Sequence, residues 1–359
     1  MEQWKACQNI LVVRADNMGD VLLSSPAIRA LKETFSCKIT LLTSTKARGL
    51  DNLLPEIDEF LVVDVPWVQN EESHDPAIYL DLINKIKSKT FDGCVIFTVY
   101  SQNPMPAILL AYLAGIPLRL AYCRENPYYL LSHWIPDSEP YQVIKHQVTR
   151  DLDLVAAIGA HTRDEQLKIS LQPGLYERVQ EKLRQSGVVL SDYHYYVLHP
   201  GVSEVKRRYP KERWIALATR LVAQESLPVL ISGGKSETGI AAEIADAAGC
   251  TAIAGLLALD EFAALLENAK AVVSVNTGTV HLATAVQTPL VVLYAQTNPQ
   301  HVPWLVHHKV LQYSVPTPLK SRNEVLRWVD QQLYAVKVPY PKVDEILKAI
   351  GTIAEKTGQ

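Results

Sequence analysis

The chain has 359 residues, of which 48% are hydrophobic and 20% charged, with a formal net charge of −3. This length predicts two domains of ordinary size, and the slightly acidic balance argues against a general nucleic-acid binder, which would carry a basic excess. No run reaches the roughly 18 uninterrupted apolar residues of a membrane span, the opening MEQWKACQNILVVRAD lacks the long apolar region of a signal peptide, and five scattered cysteines without a pairing pattern read as buried, reduced thiols of a cytoplasmic protein.

In chain order, the first half reads as strands at Ile10–Val13, Ile39–Leu42, Phe60–Val63 and Cys94–Phe97. They are nearly continuous apolar runs, as parallel strands covered on both faces require. Helical patterns lie between them at Val21–Phe35, Ala77–Lys87 and Ala107–Ala114. Residues 165–193 read as a connection that carries a helix, with Pro173 and Gly174 breaking the pattern before it. The second half repeats the alternation. Strands are expected at Tyr195–Leu198, Pro228–Ile231, Thr251–Ile253, Ala271–Val275 and Leu290–Leu293, and helices at Lys211–Gln224, Glu237–Ala248, Leu259–Asn268 and Thr279–Ala285. The tail Val343–Ala354 has amphipathic helical spacing. Strand–helix alternation of this kind predicts α/β domains with parallel sheets and right-handed crossovers. We place an N-terminal domain at 1–172 and a C-terminal domain at 173–339, with a helix at about 340–359 that can pack back on the first domain. Two such domains in tandem are expected to face a central cleft, with a ligand at the carboxyl ends of their strands.

The first informative loop is Asp16-Asn17-Met18-Gly19-Asp20, between a buried strand and a helix. Gly19 leaves space for another molecule at the backbone. Asp20 at the helix start can cap free N–H groups and favour the helix dipole. Pro26 is tolerable if Ser24 or Ser25 caps a restarted helix, or if the first turn is kinked. The loop is not a GxGxxG dinucleotide turn.

Three stretches of the second half point to an anion. In HPGVSEVKRRYP a strand exits sharply at His199-Pro200-Gly201 into a loop with Ser203, Lys206, Arg207 and Arg208. Adjacent cations cannot all face one way, so the run is either a solvated surface or a clamp in which one or two residues meet a phosphate. In ISGGKSE, Gly233-Gly234 permits close approach to the backbone, and Glu237 is either a first-turn acid or an acceptor for ribose hydroxyls. In SVNTGTVHLATA, a strand ends in Asn276-Thr277-Gly278-Thr279, and His281 lies in the first turn of the next helix. Exposed N–H groups, two hydroxyls and a positive helix end suit a diphosphate. His281 is either a donor to it or a structural histidine. No DxD and no His/Asp ligand cluster appears. Residues 119–150 add Arg119, Arg124 and several aromatics, which suit an anionic acceptor or form an ordinary surface.

These motifs resemble the heptosyltransferases of glycosyltransferase family 9. Arg14, Gly19, Asp20, Pro26, Ala27, Ile28 and Leu31 match the family's opening, and His199-Pro200-Gly201, Gly233-Gly234 with Glu237, and Thr277-Gly278 with His281-Leu282-Ala283 match its C-terminal signature. The resemblance implies a GT-B fold of two Rossmann-like α/β/α domains. It implies an inverting, metal-independent transferase that needs no cofactor and moves heptose or a related sugar from a nucleotide-diphosphate donor, such as ADP-heptose, to a glycan or lipopolysaccharide-type acceptor. Asp20 would be the general base, with Gly19, Arg119 and Arg124 on the acceptor side. Ser203, Lys206, Arg207, Gly233, Glu237, Asn276, Thr277, Gly278, Thr279 and His281 would hold the donor. No nucleic acid is implied, and the place of work would be the cytoplasm, at the inner face of its membrane, with peripheral membrane contact open to it. The chain departs from the family pattern at Asn276 (for Asp), Arg207 (for Lys), Tyr209 (for Trp) and Tyr294-Ala295-Gln296-Thr297 (for Phe-Gly-x-Thr), which leaves the donor sugar open. Two alternatives stand beside this reading: a nucleotide-sugar epimerase of the same architecture, and a nucleotide-sugar-binding protein without transferase activity.

Overall fold

The computed structural model of the chain describes residues 2–68, 75–190, 194–225 and 227–354. Residues 191–193 of the expected connection and 355–359 of the expected tail helix lie outside the described residues. The chain divides into two compact units, Met1–Gln166 and Leu167–Gln359. The division falls a few residues before the 172/173 boundary read from the sequence.

The first unit holds strands β1 (Asn9–Val13), β2 (Lys38–Thr43), β3 (Glu59–Val62), β4 (Gly93–Ile96), β5 (Leu118–Cys123) and β6 (His133–Pro136). They form one parallel sheet in the order β3-β2-β1-β4-β5-β6. The second unit holds β7 (Tyr196–His199), β8 (Val229–Ile231), β9 (Thr251–Ala252), β10 (Ala271–Val275), β11 (Leu290–Ala295) and β12 (His308–Tyr313). They lie in the order β12-β11-β10-β7-β8-β9, also parallel. Numbered from its own first strand, the second sheet has the order of the first, which is that of the doubly wound dinucleotide-binding folds. The central strands β1, β4, β7 and β10 are buried almost throughout, which explains their unbroken apolar sequences.

Elements near the sheet edges lack the unbroken apolar runs of the central strands. β5, β6 and β12 mix polar with apolar residues, as strands near a sheet edge can. The helix Gln147–Ala156 is less apolar for another reason: its buried positions include Arg150 and Asp151, so ion pairs replace part of the apolar stripe. Pro26 sits inside one continuous helix, Met18–Phe35. Proline cannot donate to the Leu22 carbonyl, and the Ser25 hydroxyl donates to it instead at 2.7 Å.

The tail helix Val343–Ala354 packs within the second unit: Ile346, Ala349, Ile350 and Ile353 join the core that contains Tyr196, Leu217 and Leu293. Its lead-in is tied there as well. Tyr209, Tyr313 and Tyr340 stack against one another, Tyr209 Oη donates to the Pro341 carbonyl at 2.7 Å, and Arg213 donates to the Tyr340 and Pro341 carbonyls. Tyr209, which stands where tryptophan is usual, thus uses a hydroxyl that tryptophan lacks.

Candidate active site

Both units place polar loops at the point where strand order reverses, between β1 and β4 and between β7 and β10, where open α/β sheets bind ligands.

In the first unit, β1 runs into Arg14, whose side chain is 0% exposed. Its Nη2 donates to Asp20 Oδ1 at 3.0 Å, and its Nε lies 3.4 Å from Asp16 Oδ2. Asp20 is the third residue of the helix Met18–Phe35 and helps cap it, with Oδ2 accepting from the Asn17 amide at 3.2 Å. Asp16 is held on its other side: Gln102 donates to Oδ1, and the Ser44 hydroxyl donates to the Asp16 carbonyl. A third carboxylate, Asp151, accepts from the Ser24 hydroxyl at 2.7 Å and from Gln147 Nε2 at 2.8 Å. Burial pushes Asp16 and Asp151 up to about 6, against the pull of Arg14. Burial also opposes the charge of Arg14, but the three carboxylates hold its proton more tightly than usual. Asp16, Asp151 and Gln102 escaped the sequence reading. Asp16 is signalled only by its spacing from Arg14, and Asp151 arrives from far along the chain.

The expected acceptor-side arginines hold the backbone. Arg119 donates to the carbonyls of Ile116, Pro117, Tyr129 and Leu130, which ties together the segments before and after β5. Arg124 donates to the carbonyls of Tyr100 and Glu139 and lies over the Tyr141 ring. Arg119 is half-buried, whereas Arg124 is an exposed residue. Gly19 is the second residue of the helix and is buried.

In the second unit the basic loop follows β7. Glu204 spans Lys206 and Arg207: Oε1 is 2.6 Å from Lys206 Nζ, and Oε2 is 2.7 Å from Arg207 Nη2. Two cations therefore converge on a single carboxylate. Arg207 Nη1 donates to the Asn276 carbonyl at 3.0 Å, which joins this loop to the end of β10. Its Nε is buried without a hydrogen-bond partner among the described residues. Tyr313 Oη donates to the Arg207 carbonyl at 2.6 Å and fixes the residue from behind. Ser203 and Arg208 are exposed in the same loop.

Glu237 folds over two glycines. Its Oε2 accepts from the Gly234 amide at 2.7 Å, and a Cβ placed on Gly201 would stand 2.2 Å from Oε1. A Cβ placed on Gly233 would likewise stand 2.9 Å from Glu237 Cβ. His199 at the end of β7 is buried, pairs with Ser232 Oγ at 3.0 Å, and is pushed down to about 4 by burial, so it stays neutral near pH 7.

After β10 comes the helix Gly278–Ala285, with Thr277 as its extended N-cap. The first amides of such a helix have no intrahelical acceptor, and the helix dipole favours an anion there. Thr277 and Gly278 are partly exposed at this end, while Thr279 and His281 are buried, with His281 set edge-on to the His301 ring. The side chain of Asn276 is engaged within the unit. Its amide pairs with Ala295 and donates to Thr297 Oγ1 at 3.0 Å, so its side chain ties β10 to the loop after β11. Among the described residues no group of three or more His, Cys, Asp or Glu side chains is placed to hold a metal ion, and no helix is long and apolar enough to cross a membrane.

Two doubly wound α/β units of like strand order, with polar loops at both switch points, define the two-domain Rossmann-like class. Comparison with known proteins narrows this. The profile of glycosyltransferase family 9 (heptosyltransferase) matches residues 80–328, more than half of the chain. Lipopolysaccharide heptosyltransferase 3 of Escherichia coli is 26% identical over 297 residues, covering 80% of this chain and 82% of that protein. The solved glycosyl transferase family 9 protein of Veillonella parvula DSM 2008 superposes with a TM-score of 0.75 at 16% identity, covering 97% of each chain. The E. coli ADP-heptose lps heptosyltransferase II superposes with a TM-score of 0.73 at 19% identity, covering 98% of this chain and 100% of that one. The fold is GT-B, and the chain belongs to glycosyltransferase family 9: it is a glycosyltransferase of the heptosyltransferase family. The family match begins at residue 80, so the Arg14–Asp20 turn lies outside it, within the reach of the whole-fold superpositions.

Proposed function

We propose that the protein transfers heptose or a related sugar from a nucleotide-diphosphate donor, ADP-heptose being the first candidate, to a lipopolysaccharide-type acceptor. Its relatives, a lipopolysaccharide heptosyltransferase and an ADP-heptose heptosyltransferase among them, suggest this donor and acceptor class. The observation that carries the reading is the convergence of Lys206 and Arg207 on one carboxylate, in a loop that Arg207 ties to the end of β10. Two cations a carboxylate's width apart suit a diphosphate equally well, and the neighbouring helix Gly278–Ala285 adds its free amides.

The second unit then holds the donor. As the glycosidic bond breaks, charge develops on the leaving diphosphate and is met by Lys206, Arg207 and the amides and hydroxyls of Thr277 to Thr279. These groups are already in position, which is the most effective form of electrostatic stabilisation. The first unit supplies Asp20, which takes the proton of the acceptor hydroxyl as that oxygen attacks the anomeric carbon from the face opposite the diphosphate, inverting the configuration. No metal and no cofactor is required, because protein groups meet the charge. The work is done in the cytoplasm, at the inner face of the membrane where lipid-linked acceptors are built, with peripheral contact to it. Ser203, Gly233, Glu237 and His281 belong to the donor side of this reading.

The test is incubation of the full chain with ADP-heptose and a heptose-deficient lipopolysaccharide core, read by mass spectrometry of the acceptor, with and without a chelator. One added heptose of inverted anomeric configuration, unaffected by chelation, is expected. Donor left intact, or epimerised with no acceptor modified, would overturn the reading.

A further inference from the structure

We propose that Asp16 is a positioning residue for Asp20: by holding one side of the Arg14 guanidinium, it keeps that charge from being given wholly to the base. This rests on the reading of Asp20 as general base made above.

Arg14 is enclosed, and two carboxylates reach it from different sides. Asp20 Oδ1 is 3.0 Å from Nη2, and Asp16 Oδ2 is 3.4 Å from Nε. Neither can follow the guanidinium away. Asp20 is fixed by the Asn17 amide, and Asp16 by Gln102 at its other oxygen and by Ser44 at its carbonyl. The remaining groups around them come from other elements. Asp151, on the helix Gln147–Ala156, faces Arg14 electrostatically, but its oxygens are held by Ser24 and Gln147. Among the described residues, Arg14 thus faces three carboxylates, and Arg150 brings a second guanidinium to Asp151, with neutral amides and hydroxyls beside them.

A carboxylate paired alone with a buried arginine is a poor base, because the ion pair stabilises its charged form. Sharing the arginine weakens that effect, and the negative charge of Asp16 itself raises the proton affinity of its neighbour. The arrangement also serves the state after transfer. Once the acceptor proton moves to Asp20, that carboxyl is neutral and no longer balances Arg14. Asp16 remains, so no buried cation is left unpaired, a condition that would be strongly unfavourable. One O–H bond breaks at the acceptor, one forms at Asp20, and no other group changes its proton. Burial, which holds Asp16 itself near 6, is consistent with a cluster that resists carrying its full negative charge.

The experiment is the pH profile of kcat/KM for Asp16→Asn in the full chain, with ADP-heptose and the heptose-deficient core as substrates and ADP affinity measured by calorimetry. The neutral amide leaves Arg14 to Asp20 and the more distant charge of Asp151. The acid limb is expected to move to lower pH by about one unit, and the plateau rate to fall several-fold as the base weakens, with ADP affinity unchanged. An unmoved acid limb overturns the inference, since a residue that only supports the fold would lower rate or stability without shifting the profile. If Asp16→Asn does not fold, Asp16→Ser removes the same charge with a smaller side chain and is read in the same way. Asp20→Asn separates the two readings. Should it retain transfer, the base assignment itself fails; should it be inactive while Asp16→Asn leaves the limb in place, only the role of Asp16 fails.

Discussion

The side-chain amide of Asn276 closes on the backbone of Ala295 from both ends, accepting from its N–H at 3.1 Å and donating to its carbonyl at 3.2 Å. A carboxylate could make only the first of these contacts and would turn a charged oxygen toward the carbonyl. Asn276→Asp, although it restores the residue usual in the family, is therefore expected to destabilise the second unit by about 1–3 kcal/mol, the cost of a buried group left without its partner. Thermal denaturation of the two proteins checks this. An aspartate variant as stable as the parent would show that the side chain does not carry this tie.

Arg207 uses two nitrogens for two tasks, one on the Asn276 carbonyl and one toward the Glu204 carboxylate. A lysine in its place keeps the charge but cannot fork between them. Arg207→Lys is expected to weaken ADP binding by roughly tenfold, with Arg207→Ala weaker still. Calorimetry with ADP measures both. Equal affinity in all three proteins would remove Arg207 from the donor site.

Gly201 leaves room for the Glu237 carboxylate, which would meet a Cβ there at 2.2 Å. Gly201→Ala should push this flexible side chain off the Gly234 amide, so its effect on ADP affinity should match that of Glu237→Ala and add little to it in the double variant. Additive losses would mean that the two residues act separately.

The buried histidine and the buried carboxylates give opposite pH dependences. His199 is held near 4, below its value in an unfolded chain, so its contribution to stability is present above about 6.5 and is lost as the pH falls toward 4. Asp151 is held near 6, above its unfolded value, so the folded state binds the extra proton and stability rises as the pH falls through 6. Melting temperatures between pH 7.5 and pH 4.5 should therefore show the parent losing ground against His199→Gln and gaining ground against Asp151→Asn as the pH drops. Parallel curves would contradict the assigned protonation states.

The sequence discloses whatever obeys a period or breaks one sharply. β10 and the helix Lys211–Gln224 have the bounds read from their apolar patterns, and Gly233-Gly234 and Thr277-Gly278 mark the loops of the second switch point because only small or hydroxyl residues serve there. What the sequence does not disclose shares a physical cause: each feature depends on partners that only the fold identifies. Asp151 reaches the Arg14 cluster from the helix Gln147–Ala156 through Ser24, and that helix is itself hard to see because ion pairs replace its apolar face. Arg119 looks like an acceptor ligand in sequence, and its donors go to four backbone carbonyls, which only the fold brings around it. The tail helix has an amphipathic pattern that fixes that it packs but not where, and the tyrosine stack beside it decides the place.

The account turns on Asp20 as the group that takes the acceptor's proton. Its most direct test is the transfer rate of Asp20→Asn beside the parent, with ADP affinity measured on the same samples. The expected result is a loss of transfer of at least about 100-fold, the lower end of what a positioned general base contributes, with ADP bound as tightly as before. Transfer at the parental rate would contradict it.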